Sequence, residues 1–271
     1  MNRSAACLLT LIILLAACTP SAINLSTGMP LATASLSAVP TLASPSATSV
    51  PQAMLTMTFV PSSEQLKKAN LKIMPLGDSI TFGETNPRSG GYRYFLSTLL
   101  ENDGYKFDFV GSQQSGAEFM ADPDNEGHSG WKILALKDGI DSNGWLETYQ
   151  PDIILLHIGT NDVRYGDAVY APDRLSALLD DILLRLPETY IIVAQIVPFN
   201  WGPTQGHKLY NEAIPGIVAS RGPRVSIADM QNILSKSDYE GYLHPNAKGY
   251  EKIALAWQSA ILALESAVGC K

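Results

Sequence analysis

Five short apolar runs, Leu71–Leu76, Phe107–Val110, Ile153–Ile158, Ile191–Val197 and Val225–Ala228, alternate with longer amphipathic stretches through residues 69–268. Each run is rich in β-branched or aromatic residues and too short for a typical helix. Between them, Gly91–Asn102, Arg174–Leu186 and His207–Ser220 read as helices, and Asn246–Ala267 closes the series as another. In the last of these, Ile253, Ala254, Ala256, Trp257, Ala260, Ile261 and Leu264 recur at helical spacing and give it one apolar face. Strict alternation of this kind forces a mainly parallel sheet with helices on both sides. The run "DIILLHIG" is apolar on successive residues, as a strand covered on both faces must be. About 200 residues suffice for one domain that buries roughly 70% of its unfolded surface.

The chain ahead of this domain has a different character. Its first 18 residues carry one basic residue, Arg3, and a mostly apolar stretch from Ala5 to Ala17. That stretch is shorter than the ~20 apolar residues of a membrane span but suits the hydrophobic region of a secretory signal. Its end, Leu15-Ala16-Ala17-Cys18, resembles the lipobox of bacterial lipoproteins, in which the cysteine is lipidated. The expectation is a signal over 1–18, Cys18 as the lipid attachment point, and an exported protein tethered to the cell envelope. The alternative is an ordinary signal with Cys18 incidental. From Thr19 to Ser63 there is no Asp, Glu, Lys or Arg, only a tract dominated by Ser, Thr, Ala and Pro, so 19–68 reads as a flexible linker. Lys and Arg number 19 against 26 Asp and Glu, a net charge of −7 that argues against a nucleic-acid partner. Of the three cysteines, Cys7 lies in the signal, Cys18 takes lipid and Cys270 has no partner, so no disulfide is expected.

In open α/β sheets ligands bind beyond the carboxyl ends of the strands, so the polar residues just after each run matter most. The first run ends at Gly77-Asp78-Ser79, the second at Gly111-Ser112 and the third at Gly159-Thr160-Asn161-Asp162, while His244-Pro245-Asn246 precedes the last helix. One topology can bring all four groups to a single edge, and the chemistry they fit is acyl transfer. A serine hydroxyl needs an imidazole to remove its proton, and the resulting oxyanion needs donors already aimed at it. Ser79 can supply the hydroxyl and a backbone N–H, Gly111 a second N–H, the Asn161 amide a third donor, and His244 the base.

These blocks, Gly77-Asp78-Ser79-Ile80-Thr81, Gly111, Gly159-Thr160-Asn161-Asp162 and His244-Pro245, resemble in order the four conserved blocks of the SGNH, or GDSL, hydrolase superfamily. The resemblance implies a three-layer α/β/α sandwich with a flavodoxin-like parallel five-stranded sheet. It also implies that serine, glycine and asparagine are the oxyanion donors and histidine the base. A narrower likeness, in "GGYRYFLSTLL", "DFVGSQQSG", "EGHSGW" and "LHPNAKGYEKIA", is to bacterial acetylxylan esterases of carbohydrate esterase family 3. It implies an acetylated polysaccharide or other small ester as substrate. A lysophospholipase or thioesterase of the same superfamily, or a non-catalytic carbohydrate-binding lipoprotein, are the alternatives.

One position departs from the superfamily pattern. The aspartate usual three residues before the histidine is replaced by Gly241. Glu240 is the expected substitute, with Asp238 further back, unless a backbone carbonyl orients the ring. Among other polar residues, His157 reads as a hydrogen-bonded core histidine, His207 as a surface one, and His128 as either a pocket-mouth or a loop-ordering residue. Ser129 is a rival nucleophile that follows a polar loop. Asp78 and Asp162 read as turn-holding carboxylates, and Trp131, Tyr92 and Trp201 as either a sugar-stacking surface or core. No H-E-x-x-H, paired C-x-x-C, G-x-G-x-x-G or Walker loop occurs, and neither metal nor cofactor is expected. The G-x-S-x-G elbow is absent too, because position 81 is Thr.

Overall fold

The strand that organises the sheet is β1 (Asn70–Gly77), flanked in the computed structural model by strands on both sides. The structure describes residues 69–85 and 90–266; the expected signal, Cys18, the linker and Cys270 lie outside the described residues. Along one side of β1 runs β5 (Ile153–His157), followed by β6 (Tyr190–Ala194) and β7 (Val225–Ala228), all parallel. On the other side β2 (Lys106–Phe109) pairs with the first half of β1, from Asn70↔Lys106 to Ile73↔Phe109. The order β2-β1-β5-β6-β7 is the flavodoxin-like one, with the chain reversing its direction of winding beside β1.

Two further strands extend this sheet to seven. The polar β4 (Asp124–Gly127) pairs parallel with the end of β1, Leu76↔Glu126 and Gly77↔Gly127, and β3 (Gln113–Gln114) lies antiparallel on β4. Neither has an apolar run, so neither was expected from periodicity. A separate two-stranded hairpin, β8 (Tyr239–Glu240) with β9 (His244–Pro245), carries the histidine.

Alternate residues of the central strands feed two cores. Met74, Leu76, Ile154, Leu156, Ile191 and Val193 point to one face, where α3 (Ile133–Asn143), α4 (Trp145–Tyr149), α6 (Ala171–Arg185) and α7 (Gln205–Ala219) cover them. Ile73, Ile153, Leu155, Tyr190 and Ile192 point to the other, under α2 (Tyr92–Asn102) and α8 (Ala247–Ser266). The face of α8 foreseen from spacing is the buried one, with Ile253, Ala254, Trp257 and Ile261 fully enclosed. The result is a three-layer α/β/α sandwich.

Two expectations shift. The run Ile191–Val197 leaves the sheet at Ala194, because Asn211 of α7 takes over both backbone groups of Ile196, at 2.9 Å each. His207 is buried and not on the surface: it is the third residue of α7, and its Nδ1 accepts the N–H of the N-cap Thr204 at 3.2 Å.

Candidate active site

β1 runs directly into α1 (Ser79–Phe82), a single turn that begins with Ser79. Asp78 caps it, its Oδ1 accepting the N–H of Ile80 at 3.0 Å. Gly83, in the left-handed conformation, and Glu84 close it by donating N–H bonds to the Ser79 carbonyl at 3.0 and 2.9 Å. Gly77 has no room for a side chain, since a Cβ there would lie 2.1 Å from the His157 carbonyl oxygen. The turn is therefore pressed against the sheet edge with the Ser79 hydroxyl fixed.

His244 reaches it from the β8–β9 hairpin, Nε2 lying 3.0 Å from Ser79 Oγ. Three residues hold the hairpin. Asn246, just before α8, donates its N–H to the Asp238 carbonyl at 2.9 Å and accepts from the Gly249 N–H at 3.1 Å. Asn200 binds the Tyr242 and Gly241 carbonyls, at 3.0 and 2.6 Å. Thr85 Oγ1 donates to the Pro245 carbonyl at 2.9 Å, linking the serine turn to the histidine strand.

The expected partner for His244 does not engage it. Glu240 stands opposite His244 in the hairpin register but is exposed and makes no hydrogen bond or ion pair with the ring. Asp238 is buried and committed elsewhere: it accepts from Lys252 Nζ at 2.6 Å and from Ser235 N and Oγ at 2.7 Å each. Those bonds, led by Lys252, hold its carboxyl well below the usual range. His244 Nδ1 has no hydrogen-bond partner among the described residues. Burial holds the ring below the ordinary imidazole value of 6.5, the Glu84 carboxylate opposing this and the Arg164 guanidinium reinforcing it. Glu84 thus acts on His244 through its charge, while its Oε2 accepts from Ser129 Oγ at 2.8 Å. Ser129 therefore donates to a carboxylate and is not hydrogen-bonded to an imidazole.

A neutral imidazole can accept the Ser79 proton, so kcat/KM rises with pH through an acid limb whose midpoint lies below 6.5. Glu84→Gln moves that midpoint down and Arg164→Gln moves it up, as a pH profile on a small acetyl ester will show. Glu240→Gln leaves kcat/KM within about twofold of wild type, as for a solvated surface residue; a tenfold loss would restore Glu240 to the mechanism.

Gly111 follows β2 against β4, where a Cβ would meet the Asn125 carbonyl at 2.2 Å. The glycine is thus demanded by the neighbouring backbone as well as by any approaching ligand. Its N–H and that of Ser79 are taken by no acceptor among the described residues. Ser112, next in the chain, is gripped by the fully buried Glu126, whose Oε2 and Oε1 accept its N–H and hydroxyl at 2.7 and 2.8 Å. Glu126 also binds His128 Nε2 at 2.6 Å, and the His128 ring stacks on Trp131 at 4.0 Å. His128 is therefore an ordering residue. Glu126 was missed from the sequence, where only the block "EGHSGW" hinted at it.

Asn161 lies on α5 (Thr160–Arg164), buried, with Nδ2 donating to the Trp131 carbonyl at 2.9 Å. One Nδ2–H is used to orient the amide and the other is free. Asp162 ties this turn to α3 and α6, accepting from the Ile133 N–H at 3.0 Å and from Arg174 at 2.8 Å. Of the aromatic candidates, Tyr92 is fully buried core, Trp131 is partly buried against His128, and Trp201 is exposed.

Beneath Ser79, Asp78 and His157 are both fully buried, with Oδ1 and Nδ1 3.9 Å apart. His157 is a core histidine as expected, but neither ring nitrogen has a hydrogen-bond partner among the described residues. Burial raises the Asp78 carboxyl to about 7 and lowers His157 to about 4. A carboxyl raised from 3.8 on folding gives stability that is full below 3.8 and lost as pH rises through 7. Asp78→Asn keeps the acceptor for Ile80 and cannot ionise. Its Tm therefore exceeds that of wild type progressively from pH 4 to pH 8 in thermal unfolding; since His157 contributes to both curves, only their difference counts. Parallel curves would refute the ionisation.

The arrangement is a serine hydroxyl in contact with an imidazole, with the unengaged N–H groups of Ser79, Gly111 and Asn161 on the segments that follow β1, β2 and β5, a set of groups that acyl transfer can use. A sequence profile described as the GDSL-like lipase/acylhydrolase family matches residues 76–252. A "Multidomain esterase" of Ruminococcus flavefaciens is 35% identical over 244 residues, which is 79% of this chain and 32% of that protein. The chain thus spans about a third of that relative's length. Among solved structures, a Clostridium thermocellum family 3 carbohydrate esterase is 38% identical with a TM-score of 0.66, matching 74% of this chain and 100% of its own. A carbohydrate esterase family 3 protein from Talaromyces cellulolyticus is 28% identical with a TM-score of 0.63, over 73% of this chain and 100% of its own.

Proposed function

Since the chain belongs to the GDSL-like lipase/acylhydrolase family, we propose that it is a serine esterase that removes acetyl groups from a carbohydrate. The observation that carries the reading is the 3.0 Å contact between Ser79 Oγ and His244 Nε2. Ser79 Oγ attacks the acetyl carbonyl carbon while His244 Nε2 takes its proton. The N–H groups of Ser79 and Gly111 and the free Nδ2–H of Asn161 hold the tetrahedral oxyanion. Collapse expels the sugar oxygen, which takes the proton back from His244 and leaves an acetyl-serine. Water, deprotonated by the same imidazole, then adds to the acyl carbon; the Oγ–C bond breaks, Ser79 Oγ takes the proton back from His244, and the acetic acid leaves and ionises to acetate.

The carbohydrate half of the proposal draws on the likeness to family 3 carbohydrate esterases and on the polar lining around Ser112, Glu126 and His128. A long acyl chain needs an apolar channel instead. Initial rates on acetyl, butyryl and long-chain 4-nitrophenyl esters, followed by acetate release from acetylated xylan, test both halves. Expected is a steep preference for acetyl and release from the polymer. A preference for long chains would favour a lysophospholipase or thioesterase.

A further inference from the structure

Next to the Ser79–His244 pair stands a row of aromatic rings that the fold leaves in solvent. Trp201 is 56% exposed, Tyr242 46% and Tyr165 55%, although each has a large apolar face. The row is ordered. Trp201 stacks on Tyr242 with centroids 5.5 Å apart and planes 24° apart, and its inner edge rests on the buried Phe199 at 5.0 Å. The Arg164 guanidinium continues it, lying 5.3 Å from the Tyr242 centroid and 5.0 Å from that of Tyr165. The Asn200 bonds to the Tyr242 and Gly241 carbonyls fix the two loops to each other, so the rings are held before any ligand arrives.

Among the described arginines, Arg164 is singular in its charge. Arg174, Arg185, Arg221 and Arg224 each pair with a carboxylate, and the buried Arg93 donates to backbone carbonyls. Among the described residues Arg164 has no such partner; it donates only to the Tyr242 hydroxyl. Of its five N–H donors most are therefore free, in a planar fork suited to a carboxylate. It sits on the same short helix as Asn161, and its charge is felt at His244, so an anion bound to it lies beside the reacting ester.

We propose that Trp201, Tyr242 and Arg164 form a subsite for a uronate residue of the polysaccharide. The exposed Trp201 ring takes the C–H face of the pyranose, Tyr242 backs it, and Arg164 takes the carboxylate. This rests on the carbohydrate-esterase reading and narrows it to polymers that carry acidic sugars near their acetyl groups.

Binding is measured apart from catalysis, with Ser79→Ala protein in affinity electrophoresis. The probes are deacetylated glucuronoxylan and the same polymer after reduction of its carboxylates to alcohols. Ser79→Ala protein binds the acidic polymer about tenfold more tightly than the reduced one, as one charge-assisted fork contact predicts. Adding Arg164→Gln makes the two equal at the weaker level, and adding Trp201→Ala weakens both. Retained discrimination in the Arg164→Gln protein, retained affinity in the Trp201→Ala protein, or no binding of either polymer would each overturn the subsite. In parallel, acetate release from acetylated glucuronoxylan by wild type tests the underlying reading. Binding through Trp201 without acetate release leaves the subsite and removes the esterase substrate; acetate release with unaltered variant binding does the reverse.

Discussion

Ser79→Ala lowers kcat on a small acetyl ester by roughly 10⁴- to 10⁶-fold, and His244→Ala lowers it by a similar factor. The two groups form one device, so the double variant is scarcely worse than either single one. The hydroxyl lies 3.0 Å from the imidazole because two distant segments, 165 positions apart in sequence, are tied together. The serine sits on a turn capped by Asp78, the histidine in a hairpin clamped by Asn200 and Asn246, and Thr85 Oγ1 bridges the two through the Pro245 carbonyl. KM changes little, since the hydroxyl and the imidazole act in the chemical step and neither holds the bound ester in the ground state. Rate measurements on 4-nitrophenyl acetate with all three variants test this. Losses that multiply in the double variant would mean that Ser79 and His244 act independently.

How much of this was legible in the sequence depends on whether the signal was local. The five parallel strands and four of the main helices announce themselves through apolar runs and helical spacing, because their burial is set by neighbours in the chain. Helix α3 was not foreseen, although Ile133, Leu136 and Ile140 have the right spacing, because Gly139 interrupts it. That glycine answers to tertiary packing: a Cβ would lie 2.5 Å from the Trp131 ring and 2.9 Å from that of Trp145. Strand β4 is entirely polar, and it exists because the free end of β1 offers it backbone partners and buries Glu126 on Ser112 and His128. Glu240 failed for the same reason in reverse. Its position in the chain is apt, but the hairpin turns its carboxylate to solvent, while Glu84, unremarkable in sequence, is brought to bear on His244 by the turn that follows Ser79.

Asn161→Ala lowers kcat by about 10²- to 10³-fold, corresponding to ~2.7–4 kcal/mol, and leaves KM nearly unchanged. The donor matters only once charge builds on the carbonyl oxygen, so the loss belongs to the transition state and not to substrate binding. Its strength depends on being aimed beforehand. One Nδ2–H is held at 2.9 Å by the Trp131 carbonyl, and Trp131 is in turn stacked on His128, which Glu126 holds at 2.6 Å. The same Glu126 grips Ser112 beside Gly111, so a single buried carboxylate is linked to two of the three proposed donors, to Gly111 through Ser112 and to Asn161 through His128 and Trp131. Glu126→Gln therefore weakens Gly111 and Asn161 together, and combining it with Asn161→Ala costs less than the product of the two separate losses. A KM that rises as much as kcat falls in Asn161→Ala would instead make the amide a contact for bound substrate, and the oxyanion would then rest on the backbone N–H groups of Ser79 and Gly111 alone.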